Sequence, residues 1–228
     1  MRLCFLGTSH AAQTLARAAE RKGFTLTDDL AGADLAFISE DTPTDENGVR
    51  DLKPILALVE RVKTERRGSA VITSQVPPGF MRSIDDASFY HQAETLRIDD
   101  AMQRALYPEM LIVGFAYHSW EPCIPYWDYL HAFDCPILKM TYEDAEFAKM
   151  AINAFLVSQV ETSKMLAGIA KICGADWQRV SRVLRHDSRI GKYAYLHPGE
   201  PLASKHLLRD YVTLLGLDPE NKLLKAWR

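Results

Sequence analysis

From Thr141 to Cys173 the chain contains no proline and only one glycine, Gly168. Thr141-Tyr142-Glu143-Asp144 opens this stretch with a capping-box-like start, Thr141 as N-cap and Asp144 at the third helical position. About 30 residues at 1.5 Å each give a helix roughly 45–50 Å long. That is long for a small globular domain and suits a helix shared between two domains or two subunits. The apolar series Ala151, Ala154, Phe155, Val157, Leu166, Ile169 and Ile172 can support such a use.

The pattern before the long helix is different. Arg2 to Leu6 is a short apolar run stopped by Gly7, and Ala11 to Lys22 has helical spacing with Gly23 at its end. Ala33–Ser39, Ser69–Thr73, Ser88–Ala93, Met110–Gly114 and Pro136–Met140 read as further strands, and Leu52–Arg66 as a helix with Leu52, Ile55, Leu56, Val59 and Val62 on one face. Strands alternating with helices predict a parallel, helix-covered sheet. After the long helix, Asp176 caps a shorter one with Trp177, Val180, Val183 and Leu184 inward, and Cys173 reads as buried. A last helical stretch starts at Lys205 and breaks at Gly216-Leu217-Asp218-Pro219. The fold expected is an α/β domain over residues 1–140, followed by an all-helical domain over residues 141–228 with one long central helix.

Charge and composition remove several function classes. The balance of 27 basic against 30 acidic residues predicts no nucleic-acid or anionic-membrane partner. No run approaches the roughly 18 apolar residues a membrane span needs, and the N-terminal run is too short for a signal peptide. Four cysteines without CxxC spacing suggest reduced thiols and a cytoplasmic setting. The 7 histidines show no HExxH or ligand-like spacing, so no metal is expected. The aromatic segment Trp120 to Tyr129 reads as core or interface, with the lining of a ligand cleft as the alternative, and the basic cluster Lys63–Arg67 suits a helix C-terminus.

Several stretches, taken in order, resemble the UDP-glucose/GDP-mannose dehydrogenase family. Ala33–Ile38 followed by Asp41-Thr42-Pro43-Thr44, Asn47-Gly48-Val49 and Asp51-Leu52 is similar to its strand, Thr-Pro loop and next helix. Val71–Gly79 resembles its strand ending in Ser-Thr-Val-Pro-Pro-Gly, and Ala93–Arg97 its Pro-Glu-Phe-Leu-Arg segment. Glu146–Leu156 resembles its Glu-Leu-x-Lys-x-x-x-Asn-Ala-Phe helix, and Asp187–Gly191 its Asp-x-Arg-Ile-Gly. The resemblance implies a Rossmann-like domain, a helical dimer core built on the helix of residues 141–173, and two NAD-linked oxidations of a sugar alcohol through a cysteine-bound intermediate. It carries catalytic roles onto Glu94, Lys149, Asn153 and Asp210. It also implies cofactor contacts from Gly7, Ser9, His10, Thr42, Pro43 and Gln75, and substrate contacts from Arg97, Arg189, Tyr193 and Arg209. Each has a plainer reading: Lys149 a solvated lysine, Glu94 a surface ion pair, Asn153 a packing amide.

The departures from that pattern are specific. After Pro198-Gly199 the family runs Pro-Gly-Phe-Gly-Gly-Ser-Cys-Phe-Pro-Lys-Asp, and this chain runs Glu200-Pro201-Leu202-Ala203-Ser204-Lys205-His206-Leu207-Leu208-Arg209-Asp210. His206 therefore stands in the nucleophile's place, and the oxidation of aldehyde to acid should fail. Gln75 stands where a threonine is expected. At the cofactor end, Gly7-Thr8-Ser9-His10-Ala11-Ala12 keeps one glycine of G-x-G-x-x-G in the right strand-to-helix context. Ser9 and His10 are open to contacting a pyrophosphate or only to capping the helix. The strand whose terminal acid holds the adenosine ribose has no counterpart unless Asp28 or Asp29 reaches in, and the family's C-terminal nucleotide-binding domain is not expected. Two functions follow as expectations. One is thiol-free chemistry on a sugar-type substrate: a single NAD-linked alcohol/carbonyl step or acid/base catalysis by Lys149, Asp210 and His206. The other is a non-catalytic, dimeric binding or assembly protein.

Overall fold

The computed structural model describes residues 1–65, 68–117, 119 and 121–227. Arg66 and Arg67 of the basic cluster, His118 of the histidine set and Trp120 of the aromatic segment lie outside the described residues. The chain divides into two units: residues 1–43 with 50–149, and residues 44–49 with 150–228.

The first unit is built on seven strands: β1 (Arg2–Leu6), β2 (Thr25–Leu26), β3 (Leu35–Ile38), β4 (Ala70–Ile72), β5 (Phe89–Ala93), β6 (Leu111–Phe115) and β7 (Ile137–Thr141). Their order is β2-β1-β3-β4-β5-β6-β7. All pairings are parallel except β5 with β6, where His91 faces Gly114 and Ala93 faces Ile112. The sheet is thus mostly parallel, and the antiparallel pair corrects the all-parallel expectation. The helices of this unit are α1 (His10–Arg21), α2 (Lys53–Glu65), α3 (Phe80–Ile84), α4 (Ala101–Leu106) and α5 (Ile124–His131).

Strand periodicity explains how the sheet is covered. Successive side chains point to opposite faces, so every residue of β3 is buried, but on alternate sides. Ala36 and Ile38 join Cys4, Leu6, Ala70 and Ile72 against Ile55, Val59 and Val62 of α2 and against α3. Leu35 and Phe37 join Leu3, Val71, Val113 and Phe115 against Tyr126, Tyr129 and Leu130 of α5. The aromatic segment that sequence left between core and interface is, over Tyr126 and Tyr129, fully buried core. Burial pushes both phenols above the usual tyrosine range. His91 is also enclosed, with Nδ1 3.0 Å from the carbonyl oxygen of Ile72, and burial lowers its pKa to about 4.

The long helix, α6 (Tyr142–Ile172), has 31 residues and begins in the first unit. Thr141 and Asp144 form the expected reciprocal cap: Thr141 Oγ1 donates to Asp144 Oδ2 at 2.7 Å, and the Asp144 N–H reaches Thr141 Oγ1 at 3.3 Å. The Tyr142 hydroxyl donates to the carbonyl of Phe89. Glu146, 1% exposed, accepts the N–H groups of Gly79 at 2.6 Å and Met81 at 2.7 Å, at the start of α3. Burial raises its pKa to about 7 against the pull of those two donors.

The second unit holds the rest of α6 with α7 (Trp177–His186), α8 (Lys205–Leu217) and α9 (Lys222–Lys225). Its core joins Val157 of α6 to Tyr211, Leu224 and Trp227. Two expectations fail here. No residue of α7 is buried, with Val180 37% and Val183 69% exposed. That helix instead pins the following loop through polar groups: Trp177 Nε1 donates to the Leu196 carbonyl at 3.0 Å, and Arg185 Nη1 to that of Lys192 at 2.9 Å. Cys173 is exposed, because it follows an α6 end that has run past the core, where Ile172 is 87% exposed.

Candidate functional site

Two groups of polar residues stand out, one in each unit. The first lies where the strand order reverses. β2 extends the sheet on one side of β1 and β3 on the other, so the carboxyl ends of β1 and β3 flank the crevice in which doubly wound sheets hold ligands. Gly7 leaves β1 with φ +123°, and a Cβ there would stand 2.5 Å from the carbonyl oxygen of Ser39. The turn is this tight because Ser9 Oγ donates to that same oxygen at 2.6 Å while capping α1 through the Ala12 N–H at 3.0 Å.

The carboxylate of Glu40 fills the turn. Its Oε2 accepts the Thr8 N–H at 2.9 Å and the Thr8 hydroxyl at 3.3 Å, and its Oε1 accepts the Asp41 N–H at 2.9 Å. Its own N–H donates to Ser74 Oγ at 2.9 Å. Around this knot Thr42 is buried, Gln75 is half-buried, and His10 and Pro43 are exposed. A dinucleotide pyrophosphate needs small residues that let it approach the backbone, and N–H groups turned toward it. Here Ser9 replaces the second glycine, buried Ala12 the third, and a carboxylate already takes the Thr8 N–H. In this arrangement the residues do not fit a pyrophosphate. On the ribose side, Asp28 and Asp29 follow β2, and Asp29 spends Oδ1 on the Gly32 N–H at 3.1 Å.

Further along the same unit, Glu94 follows β5 and lines a cleft of about 400 Å³, open mouth included, with Thr73, Gln92, Arg104 and Tyr129. Its Oε1 accepts the Leu96 N–H, so the carboxylate turns back on its own loop. Arg97 lies 3.9 Å from Asp100, and Arg104 holds that same aspartate at 3.1 Å. Lys149, the last residue of this unit, is half-buried.

The second group belongs to the helical unit. Asn153 on α6 is buried and donates from Nδ2 to Asp210 Oδ2 at 2.5 Å. Asp210 on α8 is 1% exposed. His206, one turn earlier on α8, is exposed, and Arg209 is 4% exposed. The Arg189 guanidinium is bound to Asp187 at 2.7 Å and faces outward, as does Tyr193 at 85% exposure. Of the residues expected to act together, this unit joins Asn153 to Asp210 and leaves Arg189 and Tyr193 on the surface. Among the described residues no cluster of His, Cys, Asp and Glu is arranged to hold a metal ion, and no helix is long and apolar enough to cross a membrane.

Sequence reasoning passed over Glu40. Its signal was an acid directly after a buried strand and beside the Thr-Pro loop, a place where solvent alone does not explain a carboxylate.

Comparison with known proteins places the chain. Residues 143–226 match the family model described as the UDP-glucose/GDP-mannose dehydrogenase family, central domain. The UDP-glucose 6-dehydrogenase of Pseudomonas aeruginosa is 28% identical over 195 residues, covering 77% of this chain and 43% of that protein. UDP-glucose 6-dehydrogenase TuaD of Bacillus subtilis is 28% identical over 211 residues, covering 85% and 45%. The chain thus spans a little under half the length of these two curated relatives. Among solved structures, a UDP-D-ManNAc dehydrogenase from Pyrococcus horikoshii superimposes with a TM-score of 0.83 at 15% identity, over 100% of this chain and 68% of that one. A UDP-glucose dehydrogenase from Pyrobaculum islandicum does so with a TM-score of 0.75 at 24% identity, over 95% and 54%. These structures share the fold. Residues 143–226 thus match the central domain of the UDP-glucose/GDP-mannose dehydrogenase family, and the chain is similar in sequence to part of two UDP-glucose 6-dehydrogenases.

Proposed function

We propose that the chain is a divergent relative of the UDP-glucose/GDP-mannose dehydrogenases that acts on a sugar-type or nucleotide-sugar ligand by acid/base chemistry and does not use a thiol nucleophile. The observation that carries this reading is the buried hydrogen bond from Asn153 to Asp210. An amide that donates to a carboxylate fixes its orientation, and a general base needs to be held in place. Such a carboxylate takes a proton from a sugar hydroxyl, or from a carbon beside a carbonyl, and returns it in the reverse step. His206, exposed one turn away on α8, is the exchangeable acid in the place where the resemblance expects a cysteine. An imidazole there forms no hydride-donating thiohemiacetal, so oxidation to the carboxylic acid is not part of the function.

The test is calorimetric titration with UDP-glucose, GDP-mannose and a nucleotide keto-sugar, followed by proton NMR in D2O for exchange at the carbon beside the ketone of the keto-sugar. Binding with exchange that Asp210→Asn abolishes supports the reading. No heat with any of the three sinks it. A second reading, a dimeric assembly protein in the cytoplasm, draws on one feature: Phe155, Ile169 and Ile172 of α6 are 72%, 51% and 87% exposed. Apolar side chains left in water along one helix suit burial against a second copy. Sedimentation showing a dimer that Ile169→Glu splits, with no nucleotide-sugar binding, favours that alternative.

A further inference from the structure

The turn between β1 and α1 reads as an anion site already taken from within. Its N–H at Thr8 points at a carboxylate, its serine is committed to Ser39 and Ala12, and its glycine is locked against the Ser39 carbonyl. We propose that Glu40 is the resident anion of this turn and that, with this glutamate in place, the chain does not take the pyrophosphate of a dinucleotide there. The inference does not depend on the acid/base reading above, which uses none of these residues.

Three physical effects act together. A phosphate brought to the turn has to displace an acceptor that reaches three donors, the Thr8 N–H, the Thr8 hydroxyl and the Asp41 N–H. It also meets a like charge at short range in a partly desolvated crevice, where Coulomb repulsion is several-fold stronger than in bulk water. The Glu40 backbone, held by Ser74 Oγ at 2.9 Å, anchors the glutamate at the mouth of the turn. Removing the charge while keeping the backbone leaves the Thr8 N–H and the start of α1 available to an outside anion.

The experiment titrates the full chain with NAD and, separately, with inorganic pyrophosphate by calorimetry, comparing wild type with Glu40→Ala and Glu40→Gln. The expected result is no saturable heat for wild type at millimolar ligand. At least a tenfold gain in pyrophosphate affinity should appear in both variants. Glu40→Gln keeps the side chain's size, so it serves if the alanine variant does not fold, and circular dichroism melts check folding throughout. Wild type that binds NAD with a micromolar dissociation constant overturns the proposal. So do folded variants that bind pyrophosphate no better than wild type, because something other than Glu40 would then close the turn.

Discussion

Glu146 accepts the backbone N–H of Met81 at 2.7 Å, tying the second turn of α6 to the start of α3 under the sheet. The same carboxylate holds the Gly79 N–H at 2.6 Å, so one buried side chain satisfies two donors at a helix start that has no other side-chain cap. Glu146→Ala leaves both donors without this acceptor and should cost about 1–3 kcal/mol, read by urea denaturation. An unchanged midpoint would show that α3 does not depend on this clamp.

Glu146 and His91 make opposite contributions to stability as pH changes. The Glu146 pKa is raised from 4.5 to about 7, so its contribution is complete below pH 4.5 and is lost as pH rises through 7. The His91 pKa is lowered from 6.5 to about 4, so its contribution is complete above pH 6.5 and is lost as pH falls through 4. Each shift corresponds to about 3 kcal/mol, and across the overlap the two slopes oppose. Wild-type stability should therefore vary little between about pH 4.5 and 6.5. Glu146→Gln should unmask the histidine and become more stable as pH rises over that interval. A variant whose unfolding free energy stays flat there would contradict the assignment.

Asn153 and Asp210 form a pair that tolerates little change. Asn153→Ala removes the donor from a carboxylate that is 1% exposed and should cost about 1.5–3 kcal/mol. Asn153→Asp sets two carboxylates at hydrogen-bond distance, so it should be markedly destabilised at pH 7 and recover as the pH falls toward 4. Thermal melts across pH separate the two variants. Equal melting temperatures at pH 4 and pH 7 for Asn153→Asp would count against the pair.

Gly48 packs against α8 within the helical unit. Its φ is +84°, and a Cβ there would lie 2.7 Å from Val212 Cγ2 and 3.3 Å from the Leu208 carbonyl oxygen. Gly48→Ala combines a disfavoured backbone region with a clash and should destabilise by about 2–4 kcal/mol. Val212→Ala removes the closest atom but not the backbone strain, so the double variant should recover only part of the loss. Full recovery would mean that φ contributes nothing.

Much of the architecture is legible in the order of residues because periodicity is local. The continuous apolar run Leu35–Ile38, the helical spacing of Ile55, Val59 and Val62, and the Thr141–Asp144 cap each declare an element within a few residues. The two-residue β2 escapes such reading, since it is too short to show a period and both its residues are exposed. The apolar positions of α7 mislead for a related reason: helical spacing shows that a stripe exists but not that anything covers it.

The candidate sites divide along the same line. Residue identity alone sets His206 in a place where a thiol was expected, and it sets the Lys149–Asn153 spacing on one helical face, because covalent order and helix geometry suffice for both. Contacts between distant parts of the chain needed the folded structure. The separations of 32 positions from Thr8 to Glu40 and of 57 from Asn153 to Asp210 are closed by strand pairing and helix packing. Those closures decide which carboxylate faces which donor. Hydrogen bonds act over about 3 Å, so such a partnership exists only once the sheet and the helices have brought its two ends together.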